Sequence, residues 1–182
     1  MKLTKNVIGS KYSRMKVYLA TDHAGLELKN KIAVFLKEEG HDVEDCGAYE
    51  YNKDDDYPDF IGKAAAKVSE DPQNVRGIIL GGSGQGEAIV ANKYKGVRCG
   101  LFYSPVLPTH SIDIDGVNSS DGFEIVKLTR EHNDANMLSI GFRFVKEEEV
   151  MHAIKVWLNA AGATAERHIR RIEKIKKIEE SQ

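Results

Sequence analysis

Strand-length apolar runs alternate with helix-length amphipathic segments from residue 16 to residue 180, and this alternation restricts the fold more than any single motif. The runs are KVYLATD (16–22), HDVEDCG (41–47), RGIILGG (76–82), GVRCGLFYS (96–104) and ANMLSIGFR (135–143). Short stretches of this kind, bounded by glycine or polar clusters, read as buried strands. Between the first two, GLELKNKIAVFLKEEG (25–40) carries apolar residues at 26, 28, 32, 35 and 36 and ends in Gly40. That is an amphipathic helix with a glycine stop. Further helices are expected over 60–71 just after Pro58, over 87–94, over 122–131, over 146–162 with an acidic first turn, and over 164–180. The pattern predicts an α/β fold built on a doubly wound, mainly parallel five-stranded sheet. Ligands of such sheets sit beyond the carboxyl ends of the strands. Three segments are expected there: TDHAG, GGSGQGE and the stretch around REHN.

A chain of 182 residues suits one domain with a substantial core. Residues 1–14 read as a flexible lead-in, with Met15 a candidate alternative start, and 15–182 as a single domain. The lead-in lacks the apolar stretch of a signal peptide. No run approaches the roughly 20 apolar residues of a membrane span. The net charge of −2 gives no general pull toward nucleic acid or membrane, although basic residues gather near the C-terminus. Cys46 and Cys99 have no CxxC partner and no clustered histidine. They argue against a metal centre or a disulfide framework and predict reduced thiols in a cytoplasmic protein.

Gly81, Gly82, Gly84 and Gly86 close the third run. They let backbone N–H groups converge on an anion or oxyanion, with the following helix adding its positive end. A tight strand-to-helix turn would need the same glycines. The motif is neither a Walker loop nor a complete GxGxxG with its downstream acid. Glu87 stands at its rim, either as a partner of the helix dipole or as a general base desolvated beside N–H donors. Asp22 and His23 follow the first run. Such an Asp caps a helix or moves protons, and the His holds phosphate or simply lies at the surface. His132 and Asn133, ahead of the fifth run, offer a proton shuttle and an oxyanion donor, and Arg143 just past it is an anion candidate. Arg167 and Arg171 share one helix face, as phosphate ligands or as a solvated basic surface. The stripe Ile169, Ile172, Ile175 and Ile178 needs a cover, which a partner subunit would supply.

In this order YLATDHAGLELK, DCGA, DDDYPDF, GGSGQGEAIVANK, GVRC, REHNDAN and RHIRRI resemble the ribose-5-phosphate isomerase B / galactose-6-phosphate isomerase family. The resemblance implies a Rossmann-like subunit with helices on both sheet faces. It implies a homodimer with shared active sites and a C-terminal helix that reaches the partner, with assembly into tetramers left open. It implies aldose–ketose isomerisation of a phosphorylated sugar without metal or cofactor. One branch of the family carries a Cys at the position of Gly81 as its base. This chain has none there and is similar to the branch in which a Glu at the position of Glu87 does that work. By the same resemblance, Asp22 and His132 open the furanose ring and Ser83 relays a proton. Gly82, Ser83, Gly84, Gln85 and Gly86, with Asn133, hold the cis-enediolate. His23, Arg143, Arg167 and Arg171 hold the phosphate, some from the partner chain. Ribose 5-phosphate and ribulose 5-phosphate are the expected pair. An isomerase of allose 6-phosphate or galactose 6-phosphate, and a non-catalytic sugar-phosphate-binding protein, stand as alternatives.

One segment departs from the family pattern. Between Ser104 and REHN the family has a short connection, whereas here PVLPTHSIDIDGVNSSDGF, or part of it, is extra. An insert is therefore expected near 105–123, with 105–121 a surface loop acting as a lid, a dimer contact or a specificity element. His110, Asp113 and Asp115 offer metal-type donors or ordinary loop polarity. SIDIDG is too short for an EF-hand loop and lacks its terminal Glu.

Overall fold

The structure, a computed structural model, describes residues 14–181. The expected lead-in, Arg14 apart, lies outside the described residues. Five strands, β1 (Lys16–Ala20), β2 (Asp42–Asp45), β3 (Val75–Gly81), β4 (Cys99–Phe102) and β5 (Met137–Gly141), form one sheet in the order β2-β1-β3-β5-β4. Every pairing is parallel, so the sheet expected to be mainly parallel is wholly so. The helices are α1 (Leu26–Glu38), α2 (Tyr57–Glu70), α3 (Gln85–Ala91), α4 (Glu124–Asn133), α5 (Glu147–Asn159) and α6 (Glu166–Glu180). Among the described residues no helix is long and apolar enough to cross a membrane.

The apolar runs become strands because helices cover both faces of the sheet. β3 is buried at every position, which is why VRGIILG shows no polar alternation. On one face Val17, Leu19, Ile78, Leu80, Leu138 and Ile140 pack against Ile32 and Leu36 of α1, Val126 of α4, and Ile154 and Trp157 of α5. On the other, Ala20, Ile79 and Met137 meet Ile61, Ala64, Ala65 and Val68 of α2 and Ala91 of α3. Right-handed crossovers dictate this division. Each fully buried Leu or Ile contributes about 1.5–3 kcal/mol. Pro58 stands in the first turn of α2, where its missing N–H costs nothing.

Two boundaries differ from expectation in ways that matter for the site. α3 begins at Gln85, inside the glycine turn, so Gly86 and Glu87 both lie in its first turn. β4 is confined to Cys99–Phe102, and residues 103–123 form one long connection without helix or strand. From β1 the chain first steps outward to β2 and then back past β1 to β3. The carboxyl ends of β1 and β3 are therefore a topological switch point, where loops diverge and leave a crevice.

Candidate active site

β3 delivers Gly81 to this crevice, and α3 begins four residues later at Gln85. Gly84 has φ 73° and ψ −5°, a left-handed conformation that penalises any side chain. A Cβ there would also stand 2.9 Å from the Gly141 nitrogen. The Gly84 carbonyl accepts from Ser139 Oγ at 2.7 Å, which ties the turn to β5. Ser83 Oγ accepts from the Gln85 N–H at 3.4 Å, and Gln85 Nε2 donates to the Tyr103 hydroxyl at 2.7 Å. The N–H groups of Gly82, Ser83, Gly84 and Gly86 have no acceptor among the described residues. They are free donors gathered where a helix starts, suited to an anionic oxygen.

Glu87 is 5% exposed. Its carboxyl folds back over Gly81 so closely that a Cβ on Gly81 would overlap it. Burial is the largest influence on this group and raises its pKa above the ordinary carboxyl value. Its own backbone N–H opposes the shift, and the charge of Asp22 adds to it. A raised carboxyl pKa is what a base that must also return its proton requires.

Asp22 accepts from the Ala24 N–H at 3.0 Å and caps the 3₁₀ turn His23–Gly25. The capping role is therefore present, and the half-buried carboxylate still faces the Glu87 site. Buried Thr21 donates from Oγ1 to the Leu80 carbonyl at 3.0 Å, which fixes the end of β1 beside the end of β3. Two residues past Thr21, His23 meets Asp55: Nδ1 lies 2.5 Å from Oδ1, and the backbone nitrogen lies 3.2 and 3.1 Å from the two oxygens. Arg143 follows β5. Its N–H donates to the Gly82 carbonyl at 3.3 Å, and its guanidinium lies 3.0 Å from where a Cβ on Gly82 would be. Asp22, His23, the glycine turn, Glu87 and Arg143 thus meet at the carboxyl edge of three adjacent strands.

His132 and Asn133 do not join them within one chain, which corrects the expectation that REHN lies at a strand carboxyl end. α4 ends at Asn133 and β5 begins at Met137, so the segment precedes its strand and sits at the amino edge. β5 pairs with β3 from Gly77↔Met137 to Gly81↔Gly141. At about 3.3 Å per residue, roughly 13 Å of strand separates the two edges. His132 instead stacks on buried His168 of α6, with ring centroids 4.1 Å apart. Arg167 is half-buried beside this pair, and Arg171 is exposed.

The long connection runs to the same place. Ile112 and Asp113 line a cavity of about 280 Å³ with His132, Arg167 and His168. Asp115 Oδ2 lies 3.7 Å from Arg167 Nη1. The donors His110, Asp113 and Asp115 do not assemble. Asp113 Oδ1 accepts from the N–H groups of Asp115 and Val117 at 3.0 and 2.9 Å, while His110 Nδ1 is 2.9 Å from Thr109 Oγ1. Among the described residues, Asp22, His23 and Asp55 are the group of three metal-type donors within 4.8 Å of one another. There the imidazole Nδ1 is already engaged by Asp55. A larger cavity of about 500 Å³ under Ile175 and Ile178 of α6 contains Asn133 but none of the acid–base groups.

A model of the Ribose/Galactose Isomerase family matches residues 17–118 and 120–175. The chain belongs to this family. Ribose-5-phosphate isomerase B of Mycolicibacterium paratuberculosis is 41% identical over 159 residues, which span 87% of this chain and 88% of the relative. That of Mycobacterium tuberculosis is 41% identical over 161 residues, 88% of each. Among solved structures, ribose-5-phosphate isomerase B of Mycoplasma genitalium with bound ribulose-5-phosphate has a TM-score of 0.79 at 33% identity, covering 92% of this chain and 98% of that one. The type B enzyme of Trypanosoma cruzi has a TM-score of 0.76 at 30% identity, with 92% and 99% covered.

Against this Ribose/Galactose Isomerase fold, four side chains near the site were not singled out from sequence. Asp55 holds His23, and Tyr51 stands edge-on to the His23 ring at 5.6 Å between centroids. The Tyr57 hydroxyl lies 2.6 Å from where a Cβ on Gly86 would be. Tyr103 supports Gln85. DDDYPDF was legible as a motif, but which of its acids turns inward was not.

Proposed function

We propose that the chain interconverts ribose 5-phosphate and ribulose 5-phosphate through a cis-enediolate, in a homodimer whose sites each draw on both subunits. The observation that carries this reading is the Glu87 carboxyl, buried and folded over Gly81 beside a turn of unpartnered N–H groups. That pairing suits abstraction of a proton next to a carbonyl and stabilisation of the resulting oxyanion. The relatives' names, and the ribulose-5-phosphate in the Mycoplasma genitalium structure, supply the substrate class.

Asp22 and His132 assist ring opening. Glu87 takes the proton from carbon 2, the N–H groups of residues 82–86 and Asn133 hold the enediolate, and Ser83 relays a proton between its oxygens. Glu87 returns the proton to carbon 1. His23, Arg143, Arg167 and Arg171 bind the phosphate. Because a chain's own His132 and Asn133 belong to the opposite sheet edge from its Glu87, they serve the partner's site. Ile169, Ile175 and Ile178, 45%, 43% and 59% exposed, favour a subunit contact along α6.

The test is turnover of ribose 5-phosphate, allose 6-phosphate and galactose 6-phosphate, each with a chelator present. Ketose formation from the five-carbon sugar alone is expected. Conversion of a six-carbon sugar alone would move the specificity, and conversion of none would leave a binding protein.

A further inference from the structure

We propose that Asp55 is a positioning residue that fixes the His23 imidazole through Nδ1 and favours its protonated form, leaving Nε2 as its free donor for the anionic end of the substrate. The phosphate part of this inference rests on the function proposed above. The geometry of the pair does not.

The Asp55 side chain is 7% exposed and has no partner among the described residues except His23. A carboxylate so shielded from water is costly unless an opposite charge and hydrogen bonds compensate it. His23 provides both, with the backbone N–H shared between the two oxygens and Nδ1 against Oδ1. The double attachment sets the position of the residue and the rotation of its ring together. The edge of Tyr51 limits the remaining freedom. With Nδ1 committed, the other ring nitrogen is the one that can act on a ligand.

The charges around the ring agree. Asp22 lies beside it in the same turn, Asp55 faces it from the segment before α2, and Arg143 faces it from the turn after β5. The hydrogen bond to Asp55 is the largest influence and raises the His23 pKa, with burial and, more weakly, Arg143 opposing. A cationic imidazole beside Arg143 makes a two-charge corner for a phosphate. Without Asp55, burial and more weakly Arg143 are left opposing the proton, with Asp22 alone favouring it.

Nuclear magnetic resonance titration of His23 in the full-length protein reads this directly, and Asp55→Asn is the informative variant. The amide oxygen can still accept from the His23 backbone N–H, so the tie to the loop survives while the charge is lost. In the wild type His23 should titrate above the ordinary value of about 6.5. In Asp55→Asn it should titrate at or below it. Each unit of difference should weaken inorganic phosphate binding above both pKa values by roughly tenfold. The deficit should vanish in acid, where the ring is protonated in both proteins. With ribose 5-phosphate, KM should rise and kcat should stay within about twofold.

An ordinary wild-type His23 pKa would overturn the proposal even if the variant did not fold. So would an equal loss of phosphate affinity at every pH, which would reduce Asp55 to a loop tie. Absent isomerase turnover in wild-type protein would sink the proposed function but leave the titration and phosphate results to stand or fall separately.

Discussion

The imidazole of His132 lies flat on that of His168, with centroids 4.1 Å apart and planes 11° from parallel. Burial is the largest influence on His168 and lowers its pKa, and the nearby His132, Arg167 and Arg171 lower it further. The folded state therefore favours the neutral ring. The stability this contributes is fully present above the unfolded value of about 6.5 and is lost as pH falls through the lowered folded value. His168→Phe keeps a flat ring without a titratable group. Its melting temperature should fall less than that of the wild type between about pH 7.5 and pH 5.5. Equal slopes would remove His168 as a source of the acid sensitivity.

Glu87→Gln should cost turnover by about 10²–10³, on the order of 3–4 kcal/mol in the barrier, and leave substrate affinity nearly unchanged. The same change should raise the melting temperature at neutral pH. A carboxyl whose folded pKa is raised destabilises the fold once it ionises, so the gain should be complete above the raised folded value. It should disappear as pH falls to the unfolded value of about 4.3. Thermal denaturation of both proteins across that range checks the sign.

Gly81 and the Glu87 carboxyl compete for one volume, because a Cβ on Gly81 would overlap the carboxyl. Gly81→Cys alone should displace the carboxyl and lower kcat. In a Glu87→Ala background the space is vacant, and Gly81→Cys should bring a thiol to it. Partial recovery of turnover relative to Glu87→Ala is expected, a strongly non-additive pair. No recovery would mean that the base must approach from α3.

The proposed sharing of sites between chains gives a numerical expectation. Glu87→Gln and His132→Asn proteins should each be nearly inactive. Unfolded together and refolded at equal amounts, half the dimers carry one of each chain. Each of these has one intact site out of two, so activity should return to about a quarter of the wild type. A mixture no better than its components would mean that each site is built from a single chain.

The sequence was most informative where local pattern decides structure. VRGIILG could only be a strand buried on both faces, and the glycines after it could only be a close turn. It was silent where pairing is non-local: nothing in ANMLSIGFR says that β5 slots between β3 and β4 rather than at the edge. The three acids 54–56 show the same limit at the site. Asp54 has a side chain 74% exposed and Asp55 one 7% exposed, and only the path of the loop over His23 separates them. The misplacement of REHN had a different origin. A segment that precedes a parallel strand must lie at its amino edge, so its order relative to β5 already contained the answer.

Placing the last strand beside the middle one has a consequence for how the molecule comes into being. Until residues 137–141 are available, β3 and β4 each present an unpaired edge to the gap between them. The bonds from Ser139 to Gly84 and from Arg143 to Gly82, which tie down the glycine turn, come from that same late segment and the turn just after it. A nascent chain that has already made Gly81 and Glu87 lacks the residues that hold them in place. The step that closes the sheet also finishes the glycine turn, so an incompletely assembled sheet cannot carry a finished site.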